Sequence, residues 1–358
     1  MDGTLLPPLK PRKGKGKKQP ESQEPSYDAL GPDALRMWAA SSDYTRDVVI
    51  GKQVLQTVHT SLHKFRVTFK LLLGALADFR PEYAVPYEQL QQVDRIALHH
   101  LSDMVLRTRT HCDNFEFYKA VNVLNRWANL EFSAFYMEAI KDRLYTLGEN
   151  STSRRAAQTT LSYVYKHLQE TLGPITPLLV EETWEHTPEA IRSQSGHPLQ
   201  RTSSLPAPEW QNATLETNYE QIVAVHTVIK ALQEKARGRK QLGSSLQSFV
   251  HLALPSGMTD SVFHQHLSEL PDLFVVSQVT VAKASQAAPA EVTEAEWQYQ
   301  EVCGLPGHPD ATVYVYAPQA SKCPRCWRYV VPEAEPVPDS EAPAPICDRC
   351  ASVIDELE

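Results

Sequence analysis

Four cysteines near the C-terminus, Cys323, Cys326, Cys347 and Cys350, constrain this chain more than any other feature, because they form two Cys-x-x-Cys pairs separated by 20 residues. Each pair makes a tight knuckle that turns two sulfurs toward one point, so the two together can close a tetrahedral thiolate cage. One structural zinc ion is the expected occupant. Such a closed site leaves no position for water or substrate, so it holds a fold together and hydrolyses nothing. The competing reading of the same thiols is a pair of disulfides. The other cysteines, Cys112 and Cys303, stand alone and no secretory leader pattern precedes them, so a reducing compartment and a metal are the expectation.

A chain of 358 residues exceeds what one core usually organises, and several domains are expected. No apolar run approaches the roughly 20 residues of a membrane span. The net charge of −8 argues mildly against a nucleic-acid partner, yet phosphates respond to local patches within about a Debye length. Two basic clusters stand out. Lys10, Arg12, Lys13, Lys15, Lys17 and Lys18 sit among Pro, Gly and Gln without apolar periodicity, so residues 1–28 read as a disordered basic tail. Lys230, Lys235, Arg237, Arg239 and Lys240 close a helical pattern, and either a solvated helix face or phosphate binding accounts for them.

Between residues 29 and 192 apolar residues return at three- and four-residue spacing, which predicts an antiparallel bundle of five or six helices. The expected helices start at Pro32-Asp33, after Gly51, near Pro86-Tyr87, near Asn114, at Ser153 and at Pro177. The fourth is expected to run unbroken to Tyr145. Trp38, Trp127, Phe135 and Trp184 fall on apolar stripes and read as core rather than base-stacking platforms. His59, His63, His99 and His100 lack a second ligand at metal spacing and read as surface or satisfied histidines.

Residues 193–215, rich in Ser, Thr, Gly and Pro, read as a linker. A small α/β unit is expected over residues 216–318. It comprises a helix to Arg237, strands at 248–254, 273–281 and 311–316, and a helix from Val262 to Leu270. The zinc ribbon then occupies residues 319–358.

Several stretches together resemble one family. The run Gly31-Pro32-Asp33-Ala34-Leu35-Arg36-Met37-Trp38, Lys141-Asp142-Arg143-Leu144-Tyr145, and Pro174 to Trp184 with its Thr176-Pro177 start are similar to signatures of the anticodon-binding bundle of class Ia aminoacyl-tRNA synthetases. Cys323-Pro324-Arg325-Cys326-Trp327 with Cys347-Asp348-Arg349-Cys350 resembles the C-terminal zinc ribbon of the bacterial and mitochondrial type of isoleucyl-tRNA synthetase. The resemblance extends over about residues 29–355.

That resemblance implies a mainly α fold: an antiparallel helix bundle of the class Ia anticodon-binding kind, a small α/β unit and a C-terminal zinc ribbon. It implies tRNA(Ile) as partner, with no membrane, and a mitochondrial location, or a bacterial-type cytoplasm as the alternative. Unstacked anticodon bases can stack on aromatic rings and Arg planes, which makes Trp327, flanked by Arg325 and Arg328, a candidate base contact. Packing over the zinc knuckle explains Trp327 equally well. Arg237, Arg239 and Lys240 would meet phosphate, and Arg36 and Arg46 would join them near the bundle's entrance.

The family's nucleotide-binding motifs, His-x-Gly-His and Lys-Met-Ser-Lys-Ser, do not occur in this sequence. His197 and His308 each follow a glycine but lack the partner histidine three positions earlier, and Lys13-Gly14-Lys15-Gly16-Lys17 is low-complexity tail rather than a phosphate loop. No catalytic residue is therefore expected here, and ATP would enter only through a missing catalytic domain. By the family's order the chain would begin just after the Lys-Met-Ser-Lys-Ser loop, as a truncation or gene split. Two alternatives stay open: a noncatalytic interaction module docking on a separate catalytic subunit, and a decayed copy.

Overall fold

The computed structural model describes residues 29–48, 50–258, 261–284, 288–332 and 345–356, and the basic tail expected over residues 1–28 lies outside them. Helices come first: α1 (Pro32–Ser41), α2 (Lys52–Ala75), α3 (Gln92–Asp113) and α4 (Phe117–Trp127), then a π-helical stretch at Ala128–Met137, and α5 (Glu138–Thr146), α6 (Thr152–Leu172), α7 (Pro177–Glu185), α8 (Glu189–Arg192) and the long α9 (Ala213–Gly238). Next come β1 (Phe249–Leu254), the single turns α10 (Val262–Gln265) and α11 (Leu270–Leu273), β2 (Gln278–Lys283), α12 (Ala290–Thr293), β3 (Gln298–Cys303) and β4 (Ala311–Tyr316). The chain closes with β5 (Ser321–Lys322), β6 (Tyr329–Val331) and α13 (Asp348–Asp355).

The described chain groups into two compact units that are discontinuous in sequence. One contains residues up to 83, 100–129 and 161–207, the other residues 84–99, 130–160 and 208–358. In the first, Leu55, Val58, Leu62, Phe65, Phe69 and Leu72 of α2 are buried at the spacing that reads as one helical stripe. Helix α7 begins with Pro177 at its first turn, where the missing N–H costs nothing. Its Leu179 N–H donates to the buried Asp33 carboxylate at 2.8 Å. A residue of the first helix thus satisfies an orphan donor at the start of the seventh, and the negative charge complements the positive end of that helix dipole. Tyr165 donates to the Thr183 carbonyl at 3.1 Å and Gln169 Nε2 donates to the Tyr165 hydroxyl at 2.9 Å, so these buried groups tie α6 to α7.

In the second unit the sheet order is β2-β1-β4-β3. Strand β1 runs parallel to β2, with Phe249 opposite Gln278, and antiparallel to β4, with Phe249 opposite Tyr316. Being central, β1 is buried along its whole length, which explains its near-continuous apolar run. Its one polar side chain, His251, shares a 2.8 Å hydrogen bond with Thr280. Helix α9 starts with Asn212 as its cap, whose side chain accepts from Thr214 N–H.

Deep in the second unit the Arg143 guanidinium forks onto Asp94 at 3.1 and 2.7 Å, and both side chains are almost fully inaccessible. Tyr136 donates to Asp94 at 2.7 Å, and Ser153 carbonyl accepts twice from Arg143. Burial, then the adjacent Asp94 charge, raise the Tyr136 hydroxyl well above its ordinary value, so it stays a donor. The guanidinium and the carboxylate are both satisfied, the condition under which a buried pair is tolerated.

The fold class is the expected one, and four local expectations are corrected. The fourth helix is interrupted by the π stretch between α4 and α5. Residues 87–89 form a 3-10 turn and the third helix starts at Gln92. Residues 270–273 form a helical turn, so β2 starts at Gln278. Strand β3 was not anticipated: most of its residues are exposed, and it pairs along one side only, with β4.

Candidate metal centre and nucleic-acid interface

The ribbon of the second unit is built by backbone geometry first. Cys323 N–H donates to the Arg328 carbonyl and Trp327 N–H to the Cys323 carbonyl, at 2.8 and 2.9 Å, closing the knuckle between β5 and β6. The turn requires a left-handed residue, and Trp327 takes it at φ 65°. The second knuckle opens a helix, with Cys347 as the cap of α13 and Cys350 in its first turn.

All four sulfurs are buried, and they lie within 4.8 Å of one another. Cys326 and Cys347 Sγ are 3.8 Å apart, against an edge of about 3.8 Å for a tetrahedron with metal–sulfur bonds of about 2.3 Å. All four are free thiols, which sets aside the disulfide alternative in this structure. Burial raises the Cys323 thiol, but backbone N–H groups of Cys326, Cys347 and Arg325 outweigh it and hold it down to about 6. Burial, with the neighbouring sulfurs, pushes Cys326 up to about 12. Four clustered sulfurs so arranged could hold a metal ion, whose positive charge would stabilise all four as thiolates. Arg325 Nη1 adds a donor to Cys350 Sγ at 3.5 Å, the outer support that ligand sulfurs commonly receive.

Three arginines of the ribbon converge on the C-terminal turn of α5. Arg349 forks onto Asp142, with one hydrogen bond of 2.9 Å and a second, shorter one. Arg328 pairs with Asp142 at 3.3 Å and with Asp272. Arg325 donates to the Thr146 carbonyl at 2.6 Å, and Thr146 Oγ1 donates to Asp142. Burial raises the Asp142 carboxyl, yet the Arg349 hydrogen bonds and the Arg328 and Arg349 charges prevail and hold it below its usual value. Asp272 is raised, burial outweighing Arg328.

The candidate residues therefore occupy different situations. Trp327 is 62 % exposed, with the Lys322 ammonium 5.4 Å from its ring centroid. Arg325 and Arg328 hold the ribbon to α5 and Asp272. Arg237 closes the turn after α9 through Ser245 Oγ at 2.7 Å and Glu234. Arg239 lies over the Tyr299 ring at 5.3 Å, and Lys240 is exposed in a left-handed turn at φ 58°. Arg36 and Arg46, in the first unit, pair with Asp33 and Asp43 three residues earlier. Asp142, Thr146 and Asp272 were missed as sequence candidates. Of these, the Lys141 to Tyr145 signature contains only Asp142, and it does not reveal that residue's partner Arg349, 207 positions away.

Trp127 and Phe135 are buried, while Trp38 and Trp184 are half-buried. His59 and His63 are exposed. His100 is buried, and His99 shares a 3.2 Å hydrogen bond with the Trp210 carbonyl. Among the described residues no helix is long and apolar enough to cross a membrane.

Residues 94–253 match the family model described as the anticodon-binding domain of tRNA ligase. The chain is 33 % identical over 326 residues to the isoleucine–tRNA ligase of Kosmotoga olearia, covering 90 % of this chain and 33 % of the relative. It is 31 % identical over 338 residues to the chloroplastic/mitochondrial isoleucine–tRNA ligase of Arabidopsis thaliana, covering 91 % and 30 %. It is 33 % identical over 337 residues to that of Moorella thermoacetica, covering 91 % and 34 %. The chain spans about one third of the length of the curated relatives it matches. Residues 94–253 thus match the anticodon-binding domain of tRNA ligases, and the chain is similar over nine-tenths of its length to a part of isoleucine–tRNA ligases.

Proposed function

We propose that this chain recognises isoleucine tRNA by its anticodon and serves ATP-dependent aminoacylation of that tRNA, the chemistry residing in a catalytic part that this sequence's motifs do not supply. The observation that carries the reading is similarity along nine-tenths of the chain to isoleucine–tRNA ligases. That catalytic part is joined to it or separately encoded. The organellar relative supports mitochondria as the compartment.

Zinc is the proposed metal, supported by the all-sulfur donor set and the clustering of its four sulfurs within 4.8 Å of one another. Cys323, Cys326, Cys347 and Cys350 would hold it, and it would supply folding energy and no chemistry. Trp327 offers its exposed ring to an unstacked base, while Arg325 and Arg328 anchor the knuckle that presents it. Arg239 and Lys240 offer charge to phosphate, as do Arg36 and Arg46, each paired with a carboxylate three residues earlier on its own segment. Arg237 orients the turn that carries Arg239 and Lys240.

The test is a titration of the zinc-loaded chain against isoleucine tRNA and an anticodon-swapped version at two salt concentrations. Preference for the native anticodon, with affinity falling steeply as salt rises, is the expected result. Equal affinity for both anticodons, or no binding at low salt, defeats the proposal. Salt-insensitive binding to a separate catalytic chain would point instead to a protein-docking module.

A further inference from the structure

Two of the most exposed large side chains in the second unit share one concavity. Tyr145, at the end of α5, is 69 % exposed and Trp327 is 62 % exposed, and both line a pocket of about 480 Å³. Its walls include the apolar Ala139, Leu246, Pro271 and Val275. That size falls in the roughly 300–1,000 Å³ range of small-ligand sites, which pair apolar walls with a few placed polar groups.

The two rings are held from below rather than left loose. Leu144, the neighbour of Tyr145, is buried, and Arg143 is locked onto Asp94. The Trp327 N–H is tied to Cys323, and Arg325 ties the same knuckle to Thr146, the residue after Tyr145. The ribbon and the end of α5 are thereby clamped together, and the clamp sets where both rings stand. The wall's fixed carboxylates do not repel an anionic chain, because Asp142 and Asp272 are paired with Arg328 and Arg349. Arg325 contributes positive charge to the lining, the lining Glu138 is paired with Lys141 at 2.6 Å, and Lys322 stands over Trp327.

We infer that this pocket takes one unstacked nucleobase of the bound RNA, with Tyr145 and Trp327 as its two stacking surfaces. An unstacked base has flat faces that aromatic rings bind whatever its identity, and single-stranded loops are where RNA presents such bases. The inference rests on the proposed tRNA binding and adds Tyr145, the pocket and the count of one base to it.

The experiment uses the full zinc-loaded chain and an isoleucine anticodon stem-loop carrying 2-aminopurine at each loop position in turn. Fluorescence reports the environment of the substituted base, and titration reports affinity. Expected is a change at a single loop position on binding. Tyr145→Ala and Trp327→Ala should each abolish that change and weaken binding about tenfold. Tyr145→Phe and Trp327→Tyr should restore both. Circular dichroism and zinc content establish that each variant is folded. Alanine variants that bind like the parent and keep its fluorescence change overturn the pocket while leaving tRNA binding intact. A parent chain that does not bind the stem-loop at low salt overturns the proposed function itself.

Discussion

In the first unit, Leu72, Ala34, Met37, Leu161, Val164 and Leu168 are buried to within 2 % and the helices carry full apolar stripes. Among the described residues of the ribbon the buried apolar set is the four cysteines, Val331 and Val353, with the partly buried Ile346 packed against the cysteines. The first is ordinary hydrophobic burial, spread over many side chains. The second has too little apolar area to order itself, so its organisation falls to the sulfur cage and to arginines reaching α5. A fault in the first is shared among neighbours, whereas a fault in the second removes the one element on which everything there hangs.

Metal removal should separate the two regions most sharply. Chelation, or Cys347→Ser, should release the ribbon, since structural zinc can contribute on the order of 10 kcal/mol to a small domain. Hydrogen exchange should then rise across residues 319–332 and 345–356 while α2 and α6 stay protected. Simultaneous loss of protection in α2 would show that the regions are not independent.

Asp94→Asn probes the buried ion pair of the second unit. It leaves Arg143 with a hydrogen-bonding partner but no counter-charge, and about 3–5 kcal/mol of destabilisation is expected, read from urea melts. Leu161→Ala is the matching change in the first unit, where a cavity should cost about 2–5 kcal/mol. If Leu161→Ala were silent, distributed packing would not be what stabilises that unit.

Acid should act on both units through a buried neutral histidine in each. Burial pushes His226 of the second unit down to about 3, and burial against an opposing Glu170 pushes His167 of the first to about 4. Both folded values lie below the ordinary 6.5. The unfolded chain therefore binds the extra proton first, and stability is lost as pH falls from about 6.5 toward the folded values. The slope is at most about 1.4 kcal/mol per pH unit for each histidine. His226→Leu should flatten the share belonging to the second unit, and an unchanged pH profile would remove His226 from the account.

Legibility in the sequence followed the range of the interaction. The cysteine knuckles, the α2 stripe and the Pro177 helix start are local patterns, and each formed where its residues indicated. Strand β3 was missed because its exposed residues give no inward alternation, and only pairing with β4 defines it. The strand expected from Leu273 begins only at Gln278, because a short apolar run has no period of its own to mark where a strand starts. The Arg349 to Asp142 contact joins residues 207 positions apart, a distance at which no local pattern carries information. Nor does periodicity show that residues 84–99 and 130–160 group with the C-terminal part.

Asp142 and Arg143 stand side by side on α5 and serve opposite directions, the first accepting from ribbon arginines and the second buried on Asp94. Exchange the two letters and nothing countable changes: composition, net charge and helix-forming tendency are the same. Yet a carboxylate would then face a carboxylate, and a guanidinium would face two others. At this point the molecule is specified by word order rather than vocabulary, and a substitution score that weighs each position alone would pass over a permutation that dismantles both the interior and the ribbon's anchorage.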